Sequence, residues 1–141
     1  MMKTENELSD DAAMRTTGVI GLAAIALIHL LDFDSKWHET RYLAVAYLAL
    51  IAACLVAATL LLFGRNRAGW LLAAGCALAP MVAYTLSRTT GLPSSSDDIG
   101  NWLESIGLAS MFVEGFVVLL AGAALGSGAR VVQRLVLQPQ R

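Results

Sequence analysis

The hydrophobic and polar positions of this chain fall into blocks. Four stretches carry almost no charge: Thr16–Leu31, Tyr42–Phe63, Gly69–Leu86 and Trp102–Leu125, of 16, 22, 18 and 24 residues. A bilayer-crossing helix needs about 20 predominantly apolar residues, with a range of roughly 17–25. The first block reaches that range once it is extended through Phe33. Apolar and polar residues do not alternate inside the blocks, so the pattern of a membrane β-barrel is excluded. The prediction is an all-α protein, a four-helix transmembrane bundle with helices over about 16–33, 42–63, 69–87 and 102–126. A transmembrane domain of residues 16–128 then lies between an N-terminal tail, 1–15, and an amphipathic C-terminal tail, 129–141.

Composition agrees with this reading. Of 141 residues, 57% are hydrophobic and 15% charged, against roughly 25% charged in soluble domains. The fifteen leading residues, MMKTENELSDDAAMR, are mostly polar and acidic, and no small-x-small cleavage pattern follows IALIHLLDFDSKW, so the first segment is expected to be a retained helix rather than a signal peptide. Placing the N-terminus inside puts Lys3, Arg15, Arg65, Arg67, Arg130, Arg134 and Arg141 in cytoplasmic segments and Lys36, Arg41 and Arg88 opposite, seven against three. That asymmetry predicts a multi-pass protein of the plasma membrane with both termini cytoplasmic. A net charge of −1 gives no footprint for nucleic acid; the lipid bilayer is the expected partner. Cys54 and Cys76 form no C-x-x-C pair and read as small packing residues.

Several features refine the helices. Gly18 and Gly21 in the first allow close approach of a neighbouring helix, and Gly122 and Gly126 in the fourth have G-x-x-x-G spacing, a weak packing motif; a homodimer or a partner membrane protein is a further expectation. Pro80 removes a backbone donor and frees the Cys76 carbonyl, predicting a kink. The DFDSKWHETR connection reads as a polar loop with an interfacial Trp. In the longest connection, SRTTGLPSSSDDIG, Asp97 and Asp98 read as solvated helix-start residues. NWLE fits a capping box with Asn101 as cap and Glu104 reaching back. The segment ARVVQRLVLQPQR is expected to lie on anionic lipid.

The candidate chemistry is concentrated toward one end. At 1.5 Å per residue, His29 lies about 6 Å below the outer boundary, Tyr47 about 8 Å, Tyr84 about 6 Å and Glu114 about 15 Å. Helical side chains lean toward their own N-terminus. His29 on an ascending helix and Glu114 on a descending one therefore lean toward each other. The expectation is an outward-opening polar pocket of His29, Tyr47, Tyr84, Arg88 and Glu114, serving a ligand or a proton. Glu114 forms its floor, protonated at rest because a buried charge is costly. The plainer alternative is a hydrogen-bonded structural acid, with the Cys76 carbonyl as a candidate partner, while Arg88 anchors the interface and pairs with Glu104. A divalent metal is a further alternative, with His29, Asp32, Asp34, His38 and Glu39 as ligands, although their spacing matches no ligand signature. No cofactor motif and no nucleophile–base pair of any strength is present, so an enzyme is not the favoured class.

The stretch YTLSRTTGLPSSSDDIGNWLESIGLASMFVEG, together with IHLLDF before it, resembles a pattern in uncharacterised small four-helix integral membrane proteins of high-GC actinobacteria. The shared elements are a histidine near the end of helix 1, an LSRT-GLP exit from helix 3, a Trp-containing start to helix 4 and a helix 4 glutamate. Here these are His29, Ser87–Pro93, Trp102 and Glu114. The resemblance implies a common role for those positions and brings no activity with it. Two expectations follow for function. One is a non-enzymatic membrane module that binds a small ligand or ion in the outer pocket or serves as an accessory subunit. The other is a dimeric proton-coupled exporter working through Glu114.

Overall fold

The computed structural model describes residues 5–137, with side chains for 5, 6 and 8–127. Five helices account for most of it: α1 (Glu5–Leu31), α2 (Phe33–Glu39), α3 (Arg41–Leu62), α4 (Asn66–Thr89) and α5 (Ser105–Leu137). Four contain spans long and apolar enough to cross a membrane: Leu8–Leu31, Arg41–Leu62, Asn66–Thr89 and Ser105–Ser127. Their outward faces carry large apolar side chains, among them Ile20, Leu55, Phe112 and Leu119, all more than half exposed. Helices that are apolar all round, with so little of that surface covered by protein, suit a lipid solvent.

The helices close a ring in the order α1–α3–α4–α5. α1 packs on α3 and α5, α4 packs on the same two, and among the described residues α1 and α4 are the pair that touches across a diagonal. The interior divides lengthwise. Toward the α3–α4 turn the core is dry, built from Leu22 and Ile25 of α1, Leu61 of α3, Trp70 of α4 and Val117 of α5, with the free thiols Cys54 and Cys76 among them. Gly18 decides how closely α1 approaches there, since a Cβ on it would fall 2.5 Å from the Trp70 ring. Toward the other end the interior becomes polar. His29, Ser87, Arg88, Ser110 and Glu114 are all buried in that half.

Several expectations are corrected. α1 begins at Glu5, so residues 5–15 are helical rather than a tail; Ser9 Oγ donates to the Asn6 carbonyl and Arg15 Nε to that of Asp11, and the acidic early turns suit the positive end of the helix dipole. The first connection holds a short helix, α2, not a plain loop. Trp37 stacks on Phe33 at 5.8 Å, and the Arg41 guanidinium lies over the Trp37 ring at 5.8 Å. The last span starts at Ser105, not Trp102, and Asn101 lies in a turn outside the helix. The Glu104 carbonyl accepts from Leu108 N–H at 2.9 Å, but its carboxylate goes to Arg88 instead of closing a capping box. Neutralising a buried guanidinium outweighs a cap worth about 1 kcal/mol. The helix of α5 continues through residues 129–137, while the side chains on which the amphipathic-tail expectation rests lie outside the described residues.

Candidate functional site

The polar half encloses a cavity of 310 Å³. All four long helices supply its walls near one end: α1 and α3 where they meet α2, α4 at its C-terminal turns and α5 at its start. The α4–α5 connection folds back over it through Leu92, Ser95 and Asp98. That connection can reverse because Gly91 and Gly100 adopt φ +79° and +82°, values a glycine takes without penalty. Gly100 N–H donates to the Arg88 carbonyl at 2.9 Å, and the hydroxyls of Tyr42 and Tyr84 donate to the carbonyls of Pro93 and Trp102.

His29, Tyr47, Tyr84, Arg88 and Glu114, which come from four helices, all line this one cavity. At its deep end Glu114 is 1% exposed and accepts a hydrogen bond from Ser110 Oγ at 2.5 Å. Ser110 was not singled out in the sequence, although its i,i+4 spacing to Glu114 places both on one helix face. The carboxyl's partner is therefore this serine rather than the Cys76 carbonyl. His29 sets its Nδ1 2.9 Å from the Ile25 carbonyl. A carbonyl can only accept, so Nδ1 carries a hydrogen; with the ring neutral, Nε2 is left as an acceptor. Nε2 faces Glu114 Oε1 at 3.9 Å, too far for a direct hydrogen bond. The Tyr47 ring meets the imidazole edge-on at 4.7 Å, and its hydroxyl donates to Asp32 Oδ2 at 3.1 Å.

Arg88 closes the upper wall. Only 4% exposed, it pairs with Asp98 at 2.6 Å and with Glu104, and its guanidinium lies over the Tyr84 ring at 4.7 Å. Its Nε finds no hydrogen-bond acceptor, and the aromatic face beside it is the group that compensates. Asp98 is thus a buried cation's partner and not a freely solvated helix-start residue. Gly107 makes room for this wall, since a Cβ there would sit 2.3 Å from the Tyr84 ring.

The five residues weighed as metal ligands do not converge. His29 and Asp32 line the cavity. Asp34 and His38 face each other at 3.8 Å on the exposed side of α2, and Glu39 pairs with Lys36 at 2.7 Å. The Lys36 ammonium and the Ser35 hydroxyl, hydrogen-bonded to Glu39, hold its carboxyl below the usual range. Among the described residues no group of three His, Cys, Asp or Glu side chains is placed to hold a metal ion. The cavity is left with an excess of acid. Arg88 answers Asp98 and Glu104, and Lys36 answers Glu39, whereas among the described residues Asp32 and Glu114 take their side-chain hydrogen bonds from hydroxyls.

Comparison with protein-family models, with curated proteins and with solved structures finds no match to this chain.

Proposed function

We propose that this chain is an integral membrane module that binds a small ligand in the polar cavity at one end of its helix bundle. The observation that carries the reading is the convergence of His29, Tyr47, Tyr84, Arg88 and Glu114 on one 310 Å³ space under a folded-back connection. A volume near the lower end of the roughly 300–1,000 Å³ usual for ligand pockets suits a small molecule. Polar groups that served only to tie helices together would be consumed by one another. Here His29 Nε2 and Glu114 Oε1 both line the cavity and lie 3.9 Å apart, beyond direct hydrogen-bonding distance. By the positive-inside count the cavity opens to the outer face and both termini are cytoplasmic. The resemblance to small actinobacterial membrane proteins at His29, Ser87–Pro93, Trp102 and Glu114 adds no chemistry to this reading.

An exporter working through Glu114 is the rival. It requires passage to the other end of the bundle, and there the packing of Leu22, Leu61, Trp70 and Val117 is fully buried and apolar. That favours a site with a single opening.

Native mass spectrometry of the protein released from nanodiscs tests the proposal. The expected result is a stoichiometric small-molecule adduct that disappears when Ala83, on the cavity wall, is replaced by Trp. Bare protein from every preparation, or an adduct indifferent to Ala83→Trp, would refute it.

A further inference from the structure

Resting on that ligand-binding reading, we infer that the ligand is an organic ammonium: a protonated primary or secondary amine with a small apolar body. With the His29 ring neutral and Glu114 ionised, the deep end of the cavity presents two acceptors and no unengaged donor; the proton that Glu114 holds at rest leaves as the charged ligand enters. In the neutral ring His29 Nε2 is an acceptor, since the one hydrogen sits on Nδ1 and goes to the Ile25 carbonyl. Glu114 already takes the Ser110 hydrogen on Oε1, the same oxygen that faces the imidazole. Two acceptors 3.9 Å apart leave a single atom able to reach both at about 2.9 Å, provided that it carries two hydrogens. An ammonium nitrogen does so; a carboxylate or a carbonyl would add a third acceptor.

Charge points the same way. Among the described residues no lysine or arginine forms an ion pair with Asp32 or Glu114, and the imidazole facing Glu114 is uncharged when the ring is neutral, whereas Arg88 and Lys36 on the wall already have carboxylate partners. A ligand bringing one positive charge corrects the imbalance, and charge-assisted hydrogen bonds are the strong ones. Elsewhere the cavity wall is largely aromatic and aliphatic, with Tyr47, Tyr84, Pro80, Leu50 and Ile106. Aromatic faces attract cations, and the aliphatic groups cover an apolar body. A bare metal ion fits less well, since among the described residues no three His, Cys, Asp or Glu side chains are placed to hold one.

The test uses the full chain in nanodiscs and four probes sharing one phenyl body: 2-phenylethylammonium, its N,N,N-trimethyl derivative, 2-phenylethanol and 3-phenylpropanoate. Saturable binding is read by calorimetry and separated from linear partitioning into lipid. The ammonium is expected to bind at least tenfold more tightly than the alcohol, the carboxylate and the trimethyl compound, which has charge but no N–H. Glu114→Gln and His29→Phe should each weaken it tenfold or more, with helical content retained by circular dichroism. Should either variant fail to fold, the probe series in the parent protein decides alone. Equal binding of the alcohol or carboxylate, abolished by Ala83→Trp, would overturn the ammonium inference and leave the pocket standing. No saturable binding of any probe would overturn the inference; if no adduct co-purified either, the ligand-binding reading would fall with it.

Discussion

Replacing Arg88 by Met keeps an apolar stem of similar length in place and removes the guanidinium that ties the α4–α5 connection to α4. Two charge-assisted contacts disappear, to Asp98 and Glu104, together with the placement over Tyr84. Hydrogen bonds to charged groups contribute roughly 1.5–3 kcal/mol each, but the two carboxylates are 30% and 36% exposed and solvent screens a large part of that. The ring contact adds about 0.5–1 kcal/mol, and relief of the guanidinium's desolvation works in the opposite direction. The net expectation is a loss of about 2 kcal/mol, felt locally because the connection and not the helix core is released. Amide hydrogen exchange reads it directly. Gly100 N–H, bonded to the Arg88 carbonyl, and its neighbours through Trp102 should exchange roughly thirtyfold faster, the factor that 2 kcal/mol represents. Amides in the dry half, such as those near Val117, should be unchanged. A double-mutant cycle with Glu104→Gln should give a coupling of about 1 kcal/mol. Exchange at residues 98–102 within threefold of the parent, or zero coupling, would refute the view that Arg88 holds the cavity closed.

Other expectations follow from the same packing. Gly18→Leu drives a side chain into the fixed Trp70 ring and should destabilise the protein by about 1–3 kcal/mol in mixed-micelle unfolding, the usual cost of overpacking, whereas Gly75→Leu, with nothing within 4 Å, should cost little. Gly107→Ala displaces the Tyr84 ring and with it the edge contact to Trp102; a shift in tryptophan emission and weaker ligand binding should appear while helical content holds. Glu39 titrates below a free glutamate because Lys36 and Ser35 hydrogen-bond its carboxylate. Its contribution to stability is therefore present above the unfolded-state pKa and lost as pH falls through the folded one, and carbon-13 NMR of the carboxyl should show the midpoint move up in Lys36→Met. Finally, with Cys54 and Cys76 replaced, a single cysteine at Ser96 should react with an impermeant maleimide on intact cells and one at Asn66 should not; the reverse pattern would invert the orientation.

The membrane-type fold was legible without coordinates because it rests on composition over lengths of about 20 residues, a property of each segment by itself. Runs such as Tyr42–Phe63 and Trp102–Leu125 leave few other structures open. The opposed lean of His29 and Glu114 could also be read, since it follows from Cβ direction and chain polarity alone. Element ends were less accessible. Asn101 and Glu104 carry a local capping signature, yet Glu104 answers a charge sixteen residues earlier in the chain, and no local pattern records that. Asp98 changes from a solvated residue to an ion-pair partner for the same reason. Ser110 shows the opposite case, where the i,i+4 relation to Glu114 was present in the sequence and needed only the acid's burial to give it meaning. Which residues share one cavity was decided by the ring order α1–α3–α4–α5 and by the reversal at Gly91 and Gly100. Helix order depends on side-chain fit between segments far apart in the chain, and periodicity within a segment carries no information about it.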